Sequence, residues 1–200
     1  SGMYKSDGTA AGTTFVSDKI NTSYLKVSGT TMFSTGSDTT NGNELWKTDG
    51  TMAGTVLVKN INTTIVNAGN SNPSFLTDVN GVLYFMANDG VNGNELWKSD
   101  GTDAGTVMVK NIGVGAAGIS TESMTNVNGV LYFTINQFDL WKSDGTAAGT
   151  VKVKGFGTIQ NLVNVNGTLF FFFFYDVYAN ANAYGFELWK SDGTLAGTTM

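Results

Sequence analysis

One short segment, repeated at near-regular intervals, limits what this chain can fold into more than any other feature. Its clearest copy is Glu95-Leu96-Trp97-Lys98-Ser99-Asp100-Gly101-Thr102, followed by Asp103-Ala104-Gly105-Thr106 and the apolar run Val107-Met108-Val109. Near-copies begin at Glu44, Asp139 and Glu187, and a worn one runs from Met3 to Thr9. The aspartates of the copies, Asp7, Asp49, Asp100, Asp144 and Asp192, lie 42, 51, 44 and 48 residues apart. A period in the forties, filled with short β-prone segments, predicts propeller blades or, less often, another β array.

The unit reads most clearly from Pro73 to Ile112. Its first strand is expected over Ser74–Val79. Asn80-Gly81 follows, a hairpin signal because both residues tolerate positive φ. The second strand is expected over Val82–Ala87, the third over Asn94–Lys98, and the fourth over Thr106–Ile112, beyond the Ser-Asp-Gly-Thr loop. The other copies fit the same plan, with units at roughly 23–61, 73–112, 123–156 and 159–200 and a half unit at 1–20. The last unit lacks most of its fourth strand, and the half unit supplies only strands three and four. No stretch has a capped 3.6-residue apolar period, so no helix is expected.

The expected fold is therefore all-β: a β-propeller-like array of four-stranded antiparallel blades, about four and a half repeats in one repeat domain. Because the chain starts and stops inside a repeat, it is expected to be part of a larger propeller or assembly. Several strands are apolar at consecutive positions, most clearly Leu83-Tyr84-Phe85-Met86 and Leu169 through Tyr175. Strands of that kind are expected to be covered on both faces, as in blades stacked face to face. The run Phe170–Phe174 is accordingly expected in the core, with a sticky face at a missing neighbour as the alternative.

Composition removes several function classes. The chain has 26 Gly, one Pro, no Cys and no His, and charged residues make up 14%. Without Cys or His there is no thiolate nucleophile, disulfide, imidazole base or common transition-metal site. The net charge of −5 and the lack of any lysine run argue against a nucleic-acid partner and against anionic lipid. The apolar run Leu169–Tyr175 is too short to cross a membrane as a helix, so no membrane insertion is expected. An enzyme is not expected, because identical residues in every unit do not make one asymmetric catalytic cluster.

The repeated residues read as architecture. Gly50, Gly101, Gly145 and Gly193 suit the left-handed backbone of a tight loop. Asp49, Asp100, Asp144 and Asp192 are expected to accept backbone N–H groups two residues on, as Asx-turns. Trp46, Trp97, Trp141 and Trp189 bring large apolar surfaces to packing between units. The Glu two residues before each Trp is expected to meet a Lys or a backbone N–H. No cofactor is expected. The competing reading puts Ca²⁺ on the aspartates and loop carbonyls, but each loop offers one certain carboxylate where calcium takes six to eight oxygens.

Glu-Leu-Trp-x-x-Asp-Gly-Thr followed by x-x-Gly-Thr resembles the ELWxxDGT repeat of large bacterial proteins. Four good copies and one degraded copy carry the likeness over essentially the whole chain. The resemblance implies a secreted or cell-surface setting. The stretch Asn-Gly-x-Leu-Tyr-Phe … Glu-Leu-Trp-Lys also resembles kelch-like propeller blades. The Asp-Gly-Thr loop is similar in kind to sialidase Asp-box turns, but its spacing departs from theirs and no sialidase activity carries over.

In a four-strand meander, loops one–two and three–four lie at one edge, and loops two–three and four–one at the other. The first set is uniform here. The second differs in every unit, from Ile135–Phe138 to Asp176–Gly185, and from Gly157-Thr158 to Asn62–Asn72. Variable surface loops are where recognition concentrates. Tyr178 and Tyr184, flanked by Asn, are the candidate ligand-binding residues, suited to stacking on a sugar. The expected function is a non-catalytic extracellular adhesion module for a glycan or protein ligand. The alternative is a structural repeat that assembles with copies of itself into a surface matrix or filament.

Overall fold

The computed structural model describes residues 2–64, 69–155, 157–174 and 185–200. Seventeen strands and two 3₁₀ turns (Thr22–Tyr24 and Gly115–Ala117) are formed, with no α-helix among the described residues. The chain divides into two compact units, Ser1–Gly118 and Ile119–Met200.

In the first unit, strands β1 (Met3–Lys5) and β2 (Thr14–Ser17) make a two-stranded sheet. The next sheet is an antiparallel meander of β3 (Lys26–Ser28), β4 (Thr31–Asp38), β5 (Gly42–Thr48) and β6 (Val56–Lys59). A second meander follows in β7 (Ser74–Val79), β8 (Val82–Asn88), β9 (Asn94–Ser99) and β10 (Val107–Lys110). The second unit holds a four-stranded meander of β11 (Met124–Val127), β12 (Val130–Ile135), β13 (Asp139–Ser143) and β14 (Val151–Gly155). Its last sheet has three strands, β15 (Thr158–Val165), β16 (Thr168–Phe174) and β17 (Phe186–Ser191). A short bridge from Lys190 to Thr199 begins a fourth.

Local chemistry sets the turns. Asn80 and Gly81 take φ of 54° and 83°, and Asn128-Gly129 and Asn166-Gly167 repeat the pair. Two positive φ values are what the two-residue hairpin turn compatible with strand twist requires. Two first strands carry a bulge: the registers of β7 and β15 slip between Ser74 and Thr77 and between Gln160 and Val163. Phe75 and Asn161, at matching positions, absorb it with φ of 55° and 56°.

Within each unit, successive sheets meet first strand to first strand, β3 beside β7 and β11 beside β15. Side chains tie these strands together. The Ser28 hydroxyl donates to Asp78, Asn164 Nδ2 donates to the Asn126 carbonyl at 2.9 Å, and Asn128 Nδ2 donates to the Gly167 carbonyl at 2.9 Å.

The core lies between facing sheets, and within each unit Trp46, Trp97 and Trp189 point back toward the preceding sheet. Trp46 joins Met3, Val16 and Ile20 in one buried cluster. Trp97 joins Phe33, Leu45, Val58 and Ile61. Trp189 packs against the cluster that holds Tyr132, Leu140 and Val153. The leucine before the tryptophan points the other way, because neighbouring strand positions face opposite sides. Leu45 and Leu140 are wholly buried against the sheet that follows.

The middle strands β8 and β12 are buried on both faces, as their continuous apolar sequence implies. Strand β16 departs from that expectation. Phe171 and Phe173 are in the core, whereas Phe172 is 42% exposed and Phe170 and Phe174 are half-buried. The reason is positional: among the described residues no further sheet follows β15–β17, so the face that β4 and β12 bury is open here.

Candidate functional site

The Asp-Gly-Thr loops joining third and fourth strands are nearly superimposable in chemistry. In the copy at Asp100, the carboxylate accepts the Thr102 N–H at 2.8 Å and the Thr102 hydroxyl at 2.7 Å. The Thr102 hydroxyl oxygen in turn accepts the Gly105 N–H at 2.9 Å. Thr106 donates its hydroxyl to the Thr102 carbonyl, and Ser99 and Thr106 share a hydroxyl contact of 2.7 Å. Asp49, Asp144 and Asp192 hold the same partners at Thr51, Thr146 and Thr194, and the worn copy holds them at Asp7 and Thr9. The carboxyls of Asp7, Asp49, Asp100 and Asp192 are held below the usual carboxylate range by these threonine donors.

Two glycines per loop are needed for different reasons. Gly50, Gly101, Gly145 and Gly193 have φ between 84° and 90°, a region L side chains avoid. The later glycines, at 54, 105, 149 and 197, do not need that backbone. A Cβ on Gly105 would lie 2.1 Å from Asp100 Oδ1, and the same clash recurs in each copy. This explains the x-x-Gly-Thr half of the motif, whose role the sequence pattern leaves open. The aspartates are thus engaged within their own loops. Among the described residues, no three Asp, Glu, His or Cys side chains gather as a metal-binding group.

The motif lysine reaches forward. Lys47 Nζ donates to the Gly101 carbonyl of the next sheet's loop at 2.8 Å. Lys5, Lys47 and Lys142 also help to lower the carboxyls of Asp49, Asp100 and Asp192, each in the following copy. Beside them, the Phe33 ring lies 3.3 Å from a Cβ position on Gly101, and the Tyr132 hydroxyl 2.2 Å from one on Gly193. Lysine, aromatic ring and loop form one repeated joint between successive sheets.

The motif glutamate fastens the chain leaving the fourth strand. Glu44 is wholly buried. Its Oε2 accepts the Ile61 N–H at 3.0 Å and the Ser71 hydroxyl, and its Oε1 accepts the Asn62 N–H at 3.3 Å and the Ser71 N–H at 3.2 Å. Glu95 accepts from Ile112 and Gly113 at 2.8 and 2.7 Å. Burial pushes both carboxyls above the ordinary glutamate value, and the N–H donors pull part of the way back. Asp139 replaces the glutamate in the next copy. Its shorter side chain pairs instead with Lys152 at 2.7 Å. Of the two partners expected from sequence, the longer residue meets backbone N–H groups and the shorter one a lysine.

Trp46 and Trp97 are 5% and 7% exposed, and their indole N–H groups have no hydrogen-bond partner among the described residues. Trp141 and Trp189 are half-buried, and Trp189 Nε1 lies 3.5 Å from Glu187. The tryptophans therefore contribute packing area. Tyr178 and Tyr184 lie outside the described residues.

At the edge carrying the variable loops, a cleft of about 530 Å³ opens between the β2–β3 loop and the end of β4. Asp18, Lys19, Asn21 and Ser23 line one side, and Ser37 and Asn43 the other. The loop is held by the Asn21 N–H donating to the Thr35 carbonyl at 2.8 Å and by the Ser34 hydroxyl donating to the Asn21 carbonyl at 2.7 Å. Tyr24, on the same turn, is exposed. Sequence reasoning missed this cleft because Asp18–Leu25 joins the half unit to the first full unit, where no repeat comparison marks it. The polar run Ser17-Asp18-Lys19 beside Asn21-Thr22-Ser23 was the available signal.

Fold and site together define an all-β protein of repeated four-stranded antiparallel sheets with a shared joint. No protein-family model, curated protein or solved structure matches the chain.

Proposed function

We propose that the sheets are blades of a propeller-like array and that the chain is a non-catalytic, extracellular or cell-surface module that binds glycan at its variable edge. The meeting of first strands, β3 with β7 and β11 with β15, supports the blade reading. Inner strands that converge while outer strands diverge are what a radial array needs. The cleft at Asp18–Ser23, Ser37 and Asn43 carries the binding reading. It lies at the edge where the units differ, and its hydroxyl, amide and charged groups suit a polyhydroxylated ligand. The setting rests on the ELWxxDGT resemblance.

The test is retention on immobilised polysaccharides and bacterial cell walls. Asp18→Ala with Ser37→Ala, and separately Tyr178→Ala with Tyr184→Ala, should lower retention while the thermal midpoint holds. Retention that neither pair changes would sink the glycan reading, and retention on protein-coated surfaces alone would redirect it to a protein ligand.

A specific observation favours a second reading, assembly with copies of itself: the last sheet leaves an apolar face open at Phe172, Phe186 and Leu188.

A further inference from the structure

We propose that the cleft between β12–β14 and the Asp192 loop is a second saccharide site, with Tyr132, Lys142 and Asp192 as its recognising groups. It lies among the uniform motif loops rather than the variable ones, and it stands or falls independently of the cleft at Asp18.

The cleft has a volume of about 390 Å³ and belongs to a complete four-stranded sheet inside the chain. Its lining is apolar at Val130, Ala148 and Val151, and polar at Tyr132, Lys142, Asp144 and Asp192. Apolar walls with a few convergent polar groups are how small-molecule sites are built.

Three of the polar groups have chemistry to spare. Tyr132 is 5% exposed, yet its hydroxyl makes no hydrogen bond among the described residues. Its ring packs in the core, so the hydroxyl is the part presented to the cleft. Gly193 permits that position, because a Cβ there would overlap the hydroxyl. Burial, and after it the charge of Asp192, keep the phenol protonated, so it can donate as well as accept. The Lys142 ammonium makes no hydrogen bond or ion pair among the described residues. Asp192 takes both Thr194 donors on Oδ1, and no donor of the described residues reaches Oδ2. A nearly buried polar group without a partner is costly in a folded protein unless something else meets it.

The matching cleft of the first unit shows what sets this one apart. It is lined by Lys47, Asp49, Ala53, Gly54 and Val56 and has a volume of about 410 Å³. Register places Phe33 opposite Lys47, as Tyr132 is opposite Lys142. There the ring carries no hydroxyl, and Lys47 is engaged by the Gly101 carbonyl. The same joint is satisfied internally in the first unit and left open to a ligand in the second.

The groups define the ligand. Lys142 offers donors, Asp192 Oδ2 an acceptor, and Tyr132 both. Neighbouring hydroxyls of a sugar ring match that set, and the C–H face of the ring matches Val130 and Val151. Two aspartates against one lysine disfavour an anionic sugar, so the site takes a neutral or amine-bearing one.

Isothermal titration calorimetry with mannan, chitosan and alginate oligosaccharides tests this. Wild type should bind the neutral mannan or the amine-bearing chitosan oligomers and not the anionic alginate. Tyr132→Phe should weaken that binding about tenfold at an unchanged thermal midpoint, since Phe33 fills the same position in the first unit. Lys142→Met should weaken it similarly. Both losses should persist in the Asp18→Ala, Ser37→Ala background, which separates this site from the variable edge. If Tyr132→Phe binds as wild type does, or if alginate alone binds, the site is overturned while the variable-edge reading stands. If none of the three oligomers binds, the site is likewise overturned, and polysaccharide retention through Asp18 decides the other reading.

Discussion

Glu44→Gln is the most discriminating single substitution in this fold. The carboxylate receives four donors on two oxygens, from Ile61, Asn62 and the N–H and hydroxyl of Ser71. A glutamine presents one oxygen and one donating NH₂. In its best orientation the oxygen keeps Asn62 and the Ser71 N–H, and the Ser71 hydroxyl reverses to accept. The Ile61 N–H is then left buried against a donor. One such orphan costs about 1–3 kcal/mol. Glu95→Gln should cost a similar amount, since its two N–H donors sit on separate oxygens and one of them must be lost. Asp139→Asn, removing a partly exposed pair with Lys152, should cost under about 1 kcal/mol. Urea unfolding followed by tryptophan fluorescence, with hydrogen exchange at Ile61, reads all three. Burial also holds Glu44 and Glu95 above the ordinary glutamate value, so the folded chain binds those protons more tightly than the unfolded chain. Their contribution to stability is therefore greatest below the unfolded value and falls as pH rises through the folded one. Acidifying from neutrality should first stabilise the protein. Below the usual carboxylate range stability should fall, as the loop aspartates, whose folded values are lowered, become protonated. If Glu44→Gln is neutral or stabilising at pH 7, the carboxylate is already protonated there and the four-donor argument fails.

Three further outcomes follow from the same geometry. Gly105→Ala should destabilise by about 1–3 kcal/mol through the clash with Asp100, and the cost should shrink in an Asp100→Ala background. Additive effects in denaturant titrations would show that the carboxylate is not what excludes a side chain. Trp97→Ala should cost roughly 3–5 kcal/mol, and Trp97→Phe clearly less because the indole N–H has no partner to lose. Equal losses in thermal melts would point to an unseen bond. Chelating calcium should leave the thermal midpoint unchanged, because each loop aspartate is engaged by its own threonine. A fall of several degrees on chelation, reversed by calcium, would restore the cation reading.

Much of this architecture is set by short-range chemistry and so can be read from the sequence. Asn80-Gly81 has a hairpin conformation open to it that few residue pairs share. Gly101 takes a backbone conformation that a side chain would resist, and Asp100 bonds Thr102 only two positions away. The period of such signals sets one antiparallel sheet apart from the next. What depends on neighbours distant in sequence was not available there. The direction of Trp97 toward the preceding sheet, the forward reach of Lys47 to the Gly101 carbonyl and the polar cleft at Asp18 exist only once strands are stacked. The phenylalanine run shows the division most plainly. Its five identical residues predict burial on both faces, and a strand with sheets on either side would bury them all. Only the tertiary structure decides that Phe171 and Phe173 face a neighbour while Phe172 does not, because burial belongs to the pair of surfaces in contact and a sequence specifies only one of them.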